Sequence, residues 1–263
     1  MQAYKMNILR SRPRSIIHSI AGDDTLSDLY TEYQAILALP NEDSYDSTIE
    51  QDLPRTFPRS KFLHRKKGSV RRLLKAFVAY SKIGYVQGMN FFAAASVFFF
   101  VGRLPYLSFW LFVTLFDNLK HIYLLPIDGT FRKKDEMFAD DTERVVRAFL
   151  ALYRNKHGTK FMSSNTILVL KNLVQWKILG TLMFAFCNNL PATKNIVLHF
   201  ADTLHDRDKF RQRAASTALA FLLCCFLEKE VDEGVVLVVQ NGSLTEEGLS
   251  SILETAENVS SLL

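Results

Sequence analysis

Two short segments of this chain each present one polar side chain on a constrained backbone. In Ile49-Glu50-Gln51-Asp52-Leu53-Pro54-Arg55-Thr56-Phe57-Pro58, Arg55 stands between two prolines. In Gly84-Tyr85-Val86-Gln87-Gly88-Met89-Asn90, Gln87 lies between two glycines. Pro54 fixes its own φ and pushes Leu53 toward an extended conformation, and Pro58 repeats the constraint. The segment therefore reads as stiff and non-helical, with Arg55 pointing outward. A guanidinium is planar, permanently charged and matched to phosphate oxygens. Asp52, three residues earlier, could hold it in place. Taken alone, the same residues also describe a surface Arg–Asp pair at a tight turn. Gly84 and Gly88 open backbone conformations closed to other residues. A buried helix is expected directly afterwards, which puts Gln87 at a helix N-terminus, where amides and dipole favour anions. Its amide can both accept from and donate to a water molecule; taken alone, it could equally cap the helix. An arginine and a glutamine held in this way could complete an active site in another molecule.

Helical periodicity supplies the elements that must carry them. Ser69 reads as an N-cap, with Val70, Leu73, Leu74, Phe77 and Val78 on one face and basic residues on the other. Met89 to Val101 is apolar nearly all round, as a central helix should be, and Phe109 to Phe116 continues a second buried helix after Pro105. Asp140 and Asp141 precede a helix with Val145, Val146, Phe149, Leu150 and Tyr153 at stripe spacing. Asn165 to Phe186, Asn195 to His205 and Phe210 to Leu227 are further helical stretches. Ser243-Leu244-Thr245-Glu246 reads as a capping box opening a last helix. Val235 to Val239 is the only β-branched run, and one strand cannot make a sheet. Leu124 to Asp140 is polar and poorly patterned, and reads as a loop between two helical halves. The expected fold is all-α: a multi-helix domain over 8–258, with one helical subdomain at about 8–125 packed on another at about 138–258.

Composition narrows the function. At 263 residues, 48% hydrophobic and 22% charged, the chain is an ordinary folded one. A net charge of +5 is not by itself a nucleic-acid signature. The excess is concentrated in Arg59, Lys61, His64, Arg65, Lys66, Lys67, Arg71, Arg72 and Lys75. That run is either a solvated helix face or a patch that steers an acidic or phosphate-bearing partner. Cys187, Cys224 and Cys225 lie in apolar runs without metal or disulfide spacing, and read as small core residues in a reducing setting. Residues 1–22 carry four basic and no acidic residues, a faint transit-peptide pattern, but read better as a first helix. Phe91 to Phe116 is broken at Gly102-Arg103 and Pro105 into pieces too short to span a bilayer. His199, Asp202, His205 and Asp206 read as a solvated helix face rather than a metal cluster. There is no HExxH, nucleophile elbow, P-loop or GxGxxG, so no metal or nucleotide site is expected on the chain itself.

The patterns Ile-x-x-Asp-x-x-Arg-Thr at 49–56 and Tyr-x-Gln-Gly at 85–88 resemble those of the TBC domain family, the GTPase-activating proteins of Rab GTPases. Leu74 to Ser81, Gln175-Trp176, Thr181-Leu182-Met183-Phe184, Asn189-Leu190-Pro191 and Phe210 to Leu222 with Arg213 are similar to other stretches of that family. The resemblance implies that Arg55 is an arginine finger neutralising charge on the transferring phosphoryl group. It implies that Gln87 is a glutamine finger positioning the attacking water. Asp52 would orient the arginine loop; Tyr85, Gly88 and Asn90 would shape the glutamine turn. Lys66, Lys67 and Arg71 would meet the partner, a Rab-type GTPase in its GTP form that itself holds GTP and magnesium. No cofactor, nucleic acid or transmembrane segment is expected. The setting would be cytoplasmic, reaching endomembranes through the partner.

The chain departs from the family pattern in three places. His18 stands where the family has a tryptophan four residues after Arg14. Ala201-Asp202 replaces Trp-Asp. The linker from Ala79-Tyr80-Ser81 to Gly84 is shorter, which bears on where Gln87 points. Two other functions are therefore carried forward: a module of the same shape that docks a GTPase or scaffold without activating it, and a membrane-associated helical protein built around Phe91 to Phe116.

Overall fold

The computed structural model describes residues 25–40, 43–81, 84–127, 130–133, 135–158, 162–187, 189–204 and 206–263, with backbone alone between 118 and 137. The readings made on residues 1–22, Asn188 and His205 lie outside the described residues. Eleven α-helices and one small hairpin make up the described chain. The first, α1 (Leu26–Leu37), opens with a capping box in which the Thr25 hydroxyl accepts from Asp28 N–H at 3.2 Å and the Asp28 carboxylate accepts from Thr25 N–H at 3.0 Å. α2 (Asp46–Asp52) runs into a 3-10 turn, Leu53–Arg55. α3 (Lys61–Ser81) buries Leu63, Val70, Leu73, Leu74, Ala76, Phe77 and Val78. Ser69 is therefore inside a helix, not at its start. The basic run ahead of it is made of good helix formers, and Ser60 supplies the cap, accepting from Leu63 N–H at 3.3 Å.

α4 (Met89–Phe99) is buried on every face, with only Phe91 partly open. A tight turn through Val101 (φ 55°) and Gly102 (φ 62°) leads into α5 (Pro105–Tyr123). The membrane reading of Phe91 to Phe116 is thus replaced by two core helices, and among the described residues no helix is long and apolar enough to cross a membrane. The stretch expected as a loop is instead an antiparallel hairpin, β1 (Leu124–Ile127) and β2 (Thr130–Lys133), with Leu124 opposite Lys133. α6 (Asp135–His157) then begins ahead of Asp140 and Asp141, which lie within it.

α7 (Ser164–Asn172) is capped by Ser163 and continues as a π-helical turn, Leu173–Leu179, closed by Gly180 N–H on the Gln175 carbonyl at 3.0 Å. After a 3-10 turn at Phe184–Phe186 comes α8 (Leu190–Phe200), capped by Asn189. α9 (Arg207–Phe226) is capped by Asp206. Val235 to Val239 lies in α10 (Glu233–Asn241), because Asp232 accepts from Val235 N–H at 2.8 Å and a cap outweighs weak β preference. α11 (Glu246–Asn258) is capped by Thr245, two residues after the serine read as its cap, and a 3-10 turn at Ser260–Leu262 ends the chain.

α4 organises the packing. It lies against α3 and α5 on one side and α8 on the other, while α9 packs on α6 and α11. Phe92 on α4 meets Phe116 edge-on at 6.5 Å and Phe184 edge-on at 5.4 Å, so one ring bridges the two parts of the chain. Cys187 is buried as expected, but Cys224 is exposed on α9, beside Thr255 at 3.6 Å. An apolar run on a helix still has an outer face, and Cys224 falls on it. Where the family pattern has a tryptophan, buried Ala201 opens a 3-10 turn, and Asp202 pairs with Arg213.

Candidate functional site

Arg55 closes the 3-10 turn after α2 and is exposed. Leu53 is helical (φ −56°, ψ −43°), not extended as the proline rule suggests. Its side chain is buried and its N–H bonds the Ile49 carbonyl, so core packing and the continuing helix overrule the clash with Pro54. Past the arginine, the buried Phe57 takes a left-handed φ of 45°, with its ring against Phe91 (5.5 Å) and Phe98 (5.4 Å) of α4. A non-glycine residue held there stores strain, and here packing on both sides holds it.

Gln87 is exposed one residue before Gly88, the N-cap of α4. Gly88 has φ 106°, which a side chain would strain. At Gly84 (φ 83°) an added Cβ would lie within 2.4 Å of the Tyr45 ring, so the entry to the turn is closed to any other residue. Lys82 and Ile83, the core of the shortened linker, lie outside the described residues.

The two turns are joined by buried side chains. The Tyr85 hydroxyl donates to the Asp52 carboxylate at 2.7 Å. Asn90 donates from Nδ2 to Thr56 Oγ1 at 2.7 Å, and its Oδ1 accepts from Gly88 N–H at 3.1 Å. Thr56 Oγ1 in turn donates to the Asp52 carbonyl at 2.8 Å. All four residues are buried, so every polar atom in the set depends on these partners. Burial, and then the bond to Asp52, hold the Tyr85 phenol far above its ordinary pKa, so it remains a donor. Asp52 thus serves the Tyr85 hydroxyl and is not paired with Arg55. Thr56 was missed as a site residue, although it directly follows Arg55 in the motif.

Both exposed tips face cavities. Arg55 lines one of about 250 Å³, and Gln87 lines one of about 470 Å³. The two share Phe91, Lys177 and Ala185 as walls, so Arg55 and Gln87 open onto neighbouring compartments of one cleft. Across the cleft stands the π-helical turn, which offers Trp176, half exposed and edge-on to Phe138 at 6.2 Å, and Lys177. The Lys177 ammonium donates to the Gln240 carbonyl and lies 5.1 Å from the centre of the Phe186 ring, and burial lowers its pKa. Leu182 and Met183, both buried, follow with left-handed φ of 47° and 63°. An apolar run offers no residue-level signal for such a turn, so Lys177 too was missed.

The basic stretch on α3 is different. Arg71 makes a two-pronged pair with Glu50, one contact at 2.7 Å, and Lys75 pairs with Asp46. Lys66 reaches the Gly102 carbonyl at 3.5 Å, and Lys67 makes no ion pair among the described residues. The acidic and histidine cluster near 199–206 does not form a metal site. His199 bonds Thr217 at 3.0 Å, Asp206 caps α9, and no cluster of three metal-ligating side chains occurs among the described residues.

Residues 23–230 match the profile of the Rab-GTPase-TBC domain. The chain is 40% identical, over 103 residues, to the "GTPase-activating protein GYP3" of Saccharomyces cerevisiae, a match that covers 34% of this chain and 16% of that protein. The chain therefore spans well under two thirds of the length of this curated relative. The crystal structure of the Ypt/Rab-GAP domain of Gyp1p shares the fold, with a TM-score of 0.52 at 18% identity, over 90% of this chain and 81% of that one.

Proposed function

We propose, from the premise that the chain belongs to the Rab-GTPase-TBC domain family, that it is a GTPase-activating protein for a Rab-type small GTPase, lending that partner Arg55 and Gln87. It turns over nothing on its own. GTP and magnesium belong to the partner in its GTP form. Arg55 neutralises charge building on the transferring phosphoryl group, and Gln87 holds the attacking water. Asp52, Tyr85, Gly88 and Asn90 fix the two turns, and the α3 face with Lys66, Lys67 and Arg71 steers the partner's approach. The chain acts in the cytoplasm, at endomembranes wherever its partner sits.

One observation carries this reading. The segments bearing Arg55 and Gln87 are stitched together by the Asp52–Tyr85 and Thr56–Asn90 bonds while both tips stay exposed on one cleft. A merely structural arginine and glutamine would need neither the shared scaffold nor the open tips. The test is single-turnover GTP hydrolysis across a panel of Rab GTPases. Wild type accelerates at least one of them. Arg55→Ala loses about 10³-fold of that acceleration. Gln87→Ala loses about 10²-fold. A wild-type chain that binds GTP-loaded Rabs but accelerates none is a docking module instead.

A further inference from the structure

The Arg55 cavity has a floor that the finger reading leaves unused. Its charged lining is Arg55, Arg59 and Lys177, with Asn241 and Ser243 as neutral polar neighbours and no carboxylate among the described residues. Lys177 is the recessed member. It is half-buried, tethered to the Gln240 carbonyl at the C-terminal end of α10, and makes no ion pair among the described residues. Carbonyls in the last turn of a helix favour a cation, so the ammonium is held in place without being neutralised. A half-buried ammonium tethered to the fold does not reach phosphates that lie inside another protein's own cleft. It can be reached only by a side chain projecting into the pocket.

Resting on the finger reading for the partner's class, we infer that the Arg55–Arg59–Lys177 pocket receives an acidic side chain projecting from the GTPase beside its nucleotide cleft. Half-buried Lys177 and exposed Arg59 bind its carboxylate, leaving Arg55 to the phosphoryl group. Charge complementarity selects the occupant: two cations with no acid beside them among the described residues suit one carboxylate. This makes Lys177 a specificity-determining residue. GTPases lacking an acid at the matching place bind poorly.

The test uses whichever Rab the full chain activates best, or binds best if none is activated. Lys177→Met raises KM about tenfold and leaves kcat within about twofold, while Lys177→Arg behaves as wild type. Arg59→Gln, an exposed substitution that does not threaten the fold, raises KM in the same direction. Acidic residues around the Rab's nucleotide cleft are then changed one at a time to their amides. One of these raises KM for the wild-type chain but not for Lys177→Met, the signature of a direct pair. If every amide substitution adds independently to Lys177→Met, the carboxylate pocket is wrong. If Lys177→Met lowers kcat with KM unchanged, the ammonium acts on the phosphoryl group and the proposal is likewise overturned. The same cycle is read as dissociation constants with the Rab loaded with a non-hydrolysable GTP analogue. It therefore stands even if Arg55→Ala shows that there is no finger.

Discussion

The Arg55–Gln87 region and the seam between α6 and α9 use charge in opposite ways. In the seam, charge is consumed. Asp141 is fully buried and takes Arg211 at 2.7 and 2.9 Å and Arg144 at 3.1 Å, while Asp202 takes Arg213 nearby. In the Arg55–Gln87 region, the one carboxylate of the brace, Asp52, accepts from the Tyr85 hydroxyl, the other bonds run between neutral groups, and the arginine is left exposed. The α3 face falls between the two, with Arg71 and Lys75 already answered by Glu50 and Asp46. A cation can grip a partner's anion at close range only where the fold has not already used it, which on α3 puts Lys66 and Lys67 ahead of Arg71. Counting basic residues along the chain therefore ranks the α3 face too high and the isolated Arg55 too low.

Three changes break or sharpen that contrast. The largest effect on folding belongs to the seam. Asp141→Asn leaves Arg211 and Arg144 facing a neutral group in a buried setting and destabilises the fold by about 3 kcal/mol. GTPase activation per folded molecule stays at the wild-type level, so the denaturation midpoint moves and kcat does not. The second effect belongs to the finger region. Asn90→Ala removes the bond to Thr56 and uncaps Gly88 N–H, which costs about 2 kcal/mol. Here kcat falls as well, because the two turns lose one of their two braces while the Tyr85–Asp52 bond remains. An Asn90→Ala protein with unchanged kcat would show the brace to be dispensable.

The third effect is a pH dependence in the C-terminal part. Burial first, and then Arg213, hold the His199 imidazole down at about 4, against an ordinary 6.5. The unfolded chain takes up a proton in that interval while the folded chain does not. Stability is therefore full above pH 6.5 and declines as pH falls from 6.5 toward 4. Urea midpoints measured across that window should fall for wild type and flatten for His199→Gln. The finger region holds no histidine among its bracing residues, so GTPase activation should not follow the same curve.

Much of this was legible in the amino-acid order. The unbroken apolar run from Met89 announced a helix with no solvent face, and the glycines around Gln87 announced its special turn. Asp52, Tyr85 and Asn90 could be named from the motifs, but not their pairing. The bonds from Tyr85 to Asp52 and from Asn90 to Thr56 span more than thirty residues, and local periodicity carries no information about such contacts. Asp141 read only as a residue ahead of a helix because its partner, Arg211, lies far along the chain. The π-helical turn was invisible for another reason. Leu173 to Leu179 is apolar enough to fit any helical period, and only its hydrogen bonds tell the forms apart.

α4 has neighbours on both flanks and almost no face of its own toward water. A helix in that position cannot mark a boundary. Severing the chain between α5 and α6 would leave two products, each with an open greasy seam, and neither would keep its half of the Arg55–Gln87 cleft in shape. Such a polypeptide should unfold as one cooperative unit, and the exposed tips at Arg55 and Gln87 should be lost together.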